Sequence, residues 1–256
     1  MTVPVIVGTA HGSREDRPLL VLGPSLGSDS AVLWGPVIPL LADRYRIISW
    51  DLPGHGVSPA AREAFSVHDL ADAVIGLVDE AGADRALLAG VSVGGATSLA
   101  AALARPDRVA KVATVCSAAR LGTVERWTQR AAMVREQSTS ALVVSSGQTW
   151  FAPGSVERVP EVAGRLFHAL QDADDESYAL VCEALRDFDI RDRLAEIAVP
   201  VLAVYGEHDQ ATTREQLEAI AEGVQDGRVI GIADAAHLAP AENPEAVAKA
   251  LRDFFG

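Results

Sequence analysis

Short apolar runs alternate with longer stretches of helical spacing along most of this chain. Val3–Val7, Leu19–Leu22, Tyr45–Trp50, Arg85–Gly90, Val109–Val115, Val199–Tyr205 and Arg228–Ile232 each read as a strand. Between them, Val32–Ala42, Val67–Ala81, Val93–Ala104, a stretch from about Thr213 and Pro244–Phe254 place apolar residues at helical intervals. Strands that are apolar almost throughout belong in a parallel sheet covered on both faces, joined by right-handed crossovers. The pattern therefore predicts an α/β fold with a mostly parallel, doubly wound sheet. From 120 to 187 the alternation stops. "VERWTQRAAMVREQ", "VPEVAGRLFHALQ" and "ESYALVCEALRDF" all have helical patterning, and no strong strand interrupts them. A helical block between strands of one sheet predicts an inserted cap, residues 120–187, on a core formed by 1–119 and 188–256.

Composition narrows the partners. The 256 residues are 49% hydrophobic and 22% charged, enough apolar material for a full core. Net charge is −13 and no Lys/Arg-rich run occurs, which argues against nucleic acid and anionic membrane surfaces as partners. Cys116 and Cys182 lie far apart and outside any CxxC, so neither a disulfide framework nor a zinc site is expected. The opening MTVPVIVGTAHG has no basic n-region and too short an apolar run for a signal peptide or a membrane span. A cytoplasmic protein acting on a small molecule, without metal or organic cofactor, is the expectation. Self-association stays open.

The chemistry starts at "LLAGVSVGGATS", where an apolar strand runs into Gly90-Val91-Ser92-Val93-Gly94-Gly95 and then a helix. Strand, G-x-S-x-G and helix together make Ser92 a candidate nucleophile: the glycines permit a tight turn, and the helix start offers backbone N–H groups and positive potential to an oxyanion. The same letters also describe a Gly-rich strand–helix junction or an N-cap. A nucleophilic serine needs a base, and the base an orienting acid. Of six histidines, His237 lies in "IADAAHLAPAENP", directly after the last strand. Asp209 lies in "VYGEHDQATT", past the end of the preceding one. Site residues gather at the carboxyl ends of strands in open α/β sheets, and Ser92, Asp209 and His237 fall on three such ends in the order Ser…Asp…His. The backbone N–H of Val93 is one expected oxyanion donor. The second should come from the loop after Leu19–Leu22, which reads Gly23-Pro24-Ser25-Leu26-Gly27, so Leu26 is chosen, with Ser25 as the alternative. His11-Gly12 precedes that strand and is set aside. Asp51 and His55 in "DLPGHGVS" are read as shaping a turn, and Cys116 as a core residue.

The ordered set "SLGSDSAVLW", "DLPGHGVS", "GVSVGG", "YGEHDQAT" and "AAHLAPAENPEAV" resembles the α/β-hydrolase fold over the whole chain. More narrowly, "TWFAPGS" at Thr149–Ser155 and "SYALVCEALRDFDIRDRL" at Ser177–Leu194 are similar to the 3-oxoadipate enol-lactonases. The resemblance implies Ser92 as nucleophile, Asp209 as acid, His237 as base, and hydrolysis of a small lactone that carries a carboxylate. In a chain of net charge −13 that carboxylate needs specific donors, and Trp150 and Arg186 are the candidates in the cap. Carboxylesterase, C–C bond hydrolase and perhydrolase remain alternatives, as does a non-catalytic ligand-binding homologue. Enzymes that use an Asp nucleophile are disfavoured by Ser92. The opening strand pair of such folds is compressed here into Thr2–Asp16, which predicts a shortened or irregular first hairpin.

Overall fold

A computed structural model describes residues 2–12 and 16–256. Among the described residues, seven strands form one sheet in the order β1-β3-β2-β4-β5-β6-β7. They are β1 (Val7–His11), β2 (Leu19–Gly23), β3 (Arg46–Asp51), β4 (Ala86–Val91), β5 (Val109–Val115), β6 (Val201–Gly206) and β7 (Gly227–Ile232). All neighbouring strands pair in parallel except β1, which runs antiparallel to β3 at the edge. Every residue of β2 and β4 is buried, the pattern of central strands covered by helices above and below.

Two elements depart from the expectation. The first strand begins at Val7 rather than spanning Val3–Val7; Val3 and Val5 are exposed and run beside the loop at Pro59–Glu63. Pairing with β3, from Val7 opposite Asp51 to His11 opposite Ile47, decides the boundary, and that is a tertiary fact. The compressed hairpin expected over Thr2–Asp16 falls partly on residues 13–15, outside the described residues; before them stands the single strand β1. The second departure is Val32–Ala42, which divides into helices Ser30–Trp34 and Ile38–Leu41. Gly35 ends the first, and Pro39, which has no N–H to donate, sits in the first turn of the second.

Between β5 and β6 the described chain is helical: Val124–Gln137, Val143–Trp150, Ser155–Arg158, Pro160–Asp172 and Asp175–Asp187, with a 3₁₀ turn at Thr139–Leu142. This layer is docked on the core by backbone as well as side chains. The Asp174 N–H donates to the Gly54 carbonyl (2.8 Å), the Ala61 N–H to Ser177 Oγ (2.9 Å), and the Leu238 N–H to the Trp150 carbonyl (3.1 Å). Glu242, buried in the core, accepts from the N–H groups of both Ala152 and Ala236, at 2.9 and 2.7 Å. Burial raises its pKa against those bonds. One carboxylate thus ties the helical layer to the loop that carries His237. Among the described residues no helix is long and apolar enough to cross a membrane.

Candidate active site

Ser92 occupies the turn from β4 into the helix Val93–Ala104 with φ 55° and ψ −116°, a conformation that costs a non-glycine residue on the order of 1–3 kcal/mol. The surrounding bonds hold it there. Its N–H donates to the Val115 carbonyl at 2.9 Å, and Ser117 Oγ donates to the Ser92 carbonyl at 2.6 Å. The turn is also sterically specified. A Cβ on Gly90 would collide with the backbone of Gly94, and one on Gly94 would lie 2.6 Å from both the Gly23 carbonyl carbon and the Pro24 oxygen. The Gly94 N–H donates to that same Pro24 oxygen at 3.0 Å. The loop after β2 is thereby drawn against the helix start that follows Ser92.

That close approach sets out two donors. Among the described residues, neither the Leu26 nor the Val93 N–H has a protein acceptor. The Ser25 N–H is already given to Ser28 Oγ at 3.0 Å, which removes the alternative. Leu26, Ser92 and His237 all line one small cavity.

Asp209 and His237 stand on the loops after β6 and β7. Nδ1 of His237 lies 2.9 Å from Asp209 Oδ2, and both side chains are buried. The carboxylate also accepts from Thr212 Oγ1 (2.5 Å), the Thr212 N–H (3.1 Å) and the Ala211 N–H (2.8 Å). Burial pushes the Asp209 carboxyl up, but the imidazole and Thr212 outweigh it and hold it below the ordinary value. An ionised Asp209 accepting from Nδ1–H leaves Nε2 of His237 as the bare nitrogen, the form in which it can take a proton. Beneath them Cys116 is fully buried and donates its thiol to the Ala236 carbonyl, and burial drives its pKa far up.

Of the two expected carboxylate donors, Trp150 lies on the cavity and Arg186 does not. Trp150 lines the cavity, stacks on Phe167 at 6.2 Å, and its indole N–H has no protein acceptor among the described residues. Arg186 does not reach the cavity. Its guanidinium is held by the adjacent Asp187 at 2.7 and 2.8 Å near the surface, and a neighbouring carboxylate that close satisfies it. The basic groups lining the cavity are Arg126 and Arg130, one turn apart on Val124–Gln137. Desolvation of the Arg126 head, with the like charge of Arg130 beside it, holds Arg126 below its usual pKa. Neither arginine has a carboxylate partner among the described residues. The sequence carries a signal for this pair: neither has an Asp or Glu three or four residues away on its helix, so no ion pair of the usual helical kind awaits it.

His55, from the DLPGHGVS turn, is fully buried with Nδ1 2.9 Å from the Pro53 carbonyl, and it stacks on Tyr178 of the cap rather than entering the cavity. Asp51 accepts the N–H groups of Ser30 (2.8 Å) and Val57 (3.1 Å), bracing the loops on either side of β3.

Comparison with known proteins places this geometry in a family. Residues 18–244 match the family model described as the alpha/beta hydrolase fold. The "3-oxoadipate enol-lactonase 2" of Acinetobacter baylyi is 32% identical over 242 residues, covering 94% of this chain and 90% of that protein. The "3-oxoadipate enol-lactonase 1" of the same organism is 30% identical, covering 90% of this chain and 86% of its own length. Among solved structures, the enol-lactonase from Burkholderia xenovorans LB400 superposes with a TM-score of 0.93 at 33% identity, covering 98% of this chain and 96% of that one.

Proposed function

The chain belongs to the α/β-hydrolase family, and from that premise we propose that it hydrolyses a small lactone bearing a carboxylate, 3-oxoadipate enol-lactone being the best fit, through an acyl-enzyme on Ser92. The observation that carries the substrate class is the pair Arg126 and Arg130, two guanidinium groups without a carboxylate partner among the described residues, on the wall of the cavity that Ser92 and His237 line. Two like charges held one helical turn apart repel each other, and a bound carboxylate converts that repulsion into attraction. Trp150 adds an indole N–H on the same wall.

In this mechanism His237 Nε2 takes the Ser92 proton as Oγ attacks the lactone carbonyl. The developing oxyanion meets the Leu26 and Val93 N–H groups, each donor contributing roughly 3 kcal/mol in comparable sites. His237 then hands its proton to the departing enol oxygen, whose product tautomerises to the ketone. Water, deprotonated by the same nitrogen, attacks the acyl-enzyme and releases the 3-oxo acid. Asp209 keeps the imidazole in the required tautomer and stabilises its cation.

The test is steady-state hydrolysis of 3-oxoadipate enol-lactone beside p-nitrophenyl acetate. The expected result is a kcat/KM for the lactone at least about a hundredfold above that for the neutral ester. An equal or higher value for the ester would overturn the lactonase assignment and leave an unspecialised carboxylesterase.

A further inference from the structure

The Arg130 guanidinium has two edges on which paired N–H groups can meet an anion, the Nε side and the terminal end, and the first is already occupied. Its Nε–H donates to the Tyr178 hydroxyl at 2.9 Å, while its two terminal nitrogens have no protein acceptor among the described residues. Tyr178 itself has no solvent-exposed surface. Burial pushes its phenol far above the ordinary range, so the oxygen stays protonated and accepts the Arg130 bond as a neutral hydroxyl.

Tyr178 is fixed from two sides by the core. Its ring stacks on His55, with centroids 5.9 Å apart and planes 23° from parallel. The loop after β2 closes on its edge: a Cβ added to Gly27 would lie 3.3 Å from Tyr178 Cε2. The helix start that carries Tyr178 is pinned to the His55 loop by Asp174 N–H to Gly54 O and by Ala61 N–H to Ser177 Oγ. His55 contributes a flat, neutral surface. Burial lowers its pKa to about 4, and its buried Nε2 has no partner among the described residues. The turn-forming motif DLPGHGVS thus has a second consequence: it holds a cap phenol rigidly against the core.

We propose that Tyr178 is a positioning residue for anion recognition, which by taking the Arg130 Nε–H on its hydroxyl turns the two terminal nitrogens into the cavity, so that the substrate carboxylate is met end-on. The inference rests on the reading of Arg126 and Arg130 as the carboxylate-binding pair. Its distinct content is the geometry. Side-on recognition, which uses Nε and one terminal nitrogen, is blocked by the phenol, and the anion is held at a fixed distance from Ser92 through a chain of contacts that begins in the core.

The experiment compares Tyr178→Phe and Arg130→Gln with the parent protein on two substrates of equal acyl length, mono-p-nitrophenyl glutarate and p-nitrophenyl valerate. Phenylalanine keeps the ring, its stacking on His55 and its packing, and removes only the hydroxyl. The quantity read is the ratio of kcat/KM for the carboxylate substrate to that for the neutral one. Arg130→Gln should lower that ratio about a hundredfold. Tyr178→Phe should lower it roughly tenfold, chiefly through KM, the size expected when one charge-assisted hydrogen bond that aligns a ligand is lost. In an Arg130→Lys background, where no Nε–H exists to be held, adding Tyr178→Phe should change the ratio less than about twofold; a general packing role would lower it in both backgrounds. A ratio unchanged in Tyr178→Phe while Arg130→Gln lowers it overturns the positioning role and leaves the anion-binding reading standing. A ratio unchanged in Arg130→Gln overturns both.

Discussion

Replacing Asp209 by asparagine tests the catalytic assignment most directly, because it changes one atom of a fully partnered side chain. Four donors converge on the carboxylate: the Ala211 and Thr212 N–H groups on Oδ1, and His237 Nδ1–H with Thr212 Oγ1–H on Oδ2. An asparagine oxygen can keep the two backbone donors, which fixes the amide nitrogen in the place of Oδ2. Thr212 can then rotate its hydroxyl to accept. His237 can satisfy the new donor only by presenting a bare Nδ1, which moves its proton to Nε2. Nε2–H has no lone pair for the Ser92 proton, and the imidazolium formed during acylation faces a neutral amide. In the serine-protease triad the equivalent change lowers kcat about 10⁴-fold, roughly 5.5 kcal/mol of transition-state stabilisation. The expected result here is a fall of roughly 10³- to 10⁴-fold in kcat on p-nitrophenyl acetate, in a variant whose thermal unfolding remains a single transition within a few degrees of the parent. A folded Asp209→Asn variant retaining kcat within about tenfold of the parent would refute Asp209 as the residue that sets the imidazole tautomer.

Two further outcomes follow from the same contacts. Burial raises the Asp51 carboxyl from its ordinary 3.8 to about 6. A raised acid contributes stability below the lower value and loses it as pH climbs through the higher one, a change of about 3 kcal/mol for a shift of about 2 units. Asp51→Asn should therefore gain about 3 kcal/mol relative to the parent between about pH 3 and pH 7.5 in urea denaturation, whatever the cost of its altered hydrogen bonds, and a pH-independent difference would contradict the assigned titration. Gly94→Ala places a Cβ 2.6 Å from the backbone of Gly23 and Pro24, neither of which can rotate away. It should push the Leu26 loop off the helix start and lower kcat roughly 10²- to 10³-fold, the cost of one misplaced oxyanion donor; kcat within about threefold of the parent would exclude Leu26 from that role.

What the sequence could and could not disclose divides along the range of the forces involved. Strands such as Leu19–Gly23 and Ala86–Val91 were legible because burial on both faces demands an apolar residue at every position, a local signature. The elbow at Ser92 was legible for a similar reason, since its glycines answer to clashes within a few residues and with one neighbouring loop. The start of β1 and the break at Gly35 were not, because pairing with β3 and the fit of two short helices depend on distant chain. The arginines show the limit most clearly. Arg186 and Arg130 look alike as basic residues on cap helices, but Arg186 has Asp187 beside it while Arg130 has no acid within a turn and finds Tyr178, 48 positions away. An arginine whose local helix offers no carboxylate must find a partner elsewhere, and here its Nε finds a phenol while the residue lines a cavity. The missing partner, rather than the charge, was the informative feature. The same reasoning applies to His55. Read along the chain it belongs to a turn, and only its contact with Tyr178 shows that the turn reaches the cavity wall that carries Arg130.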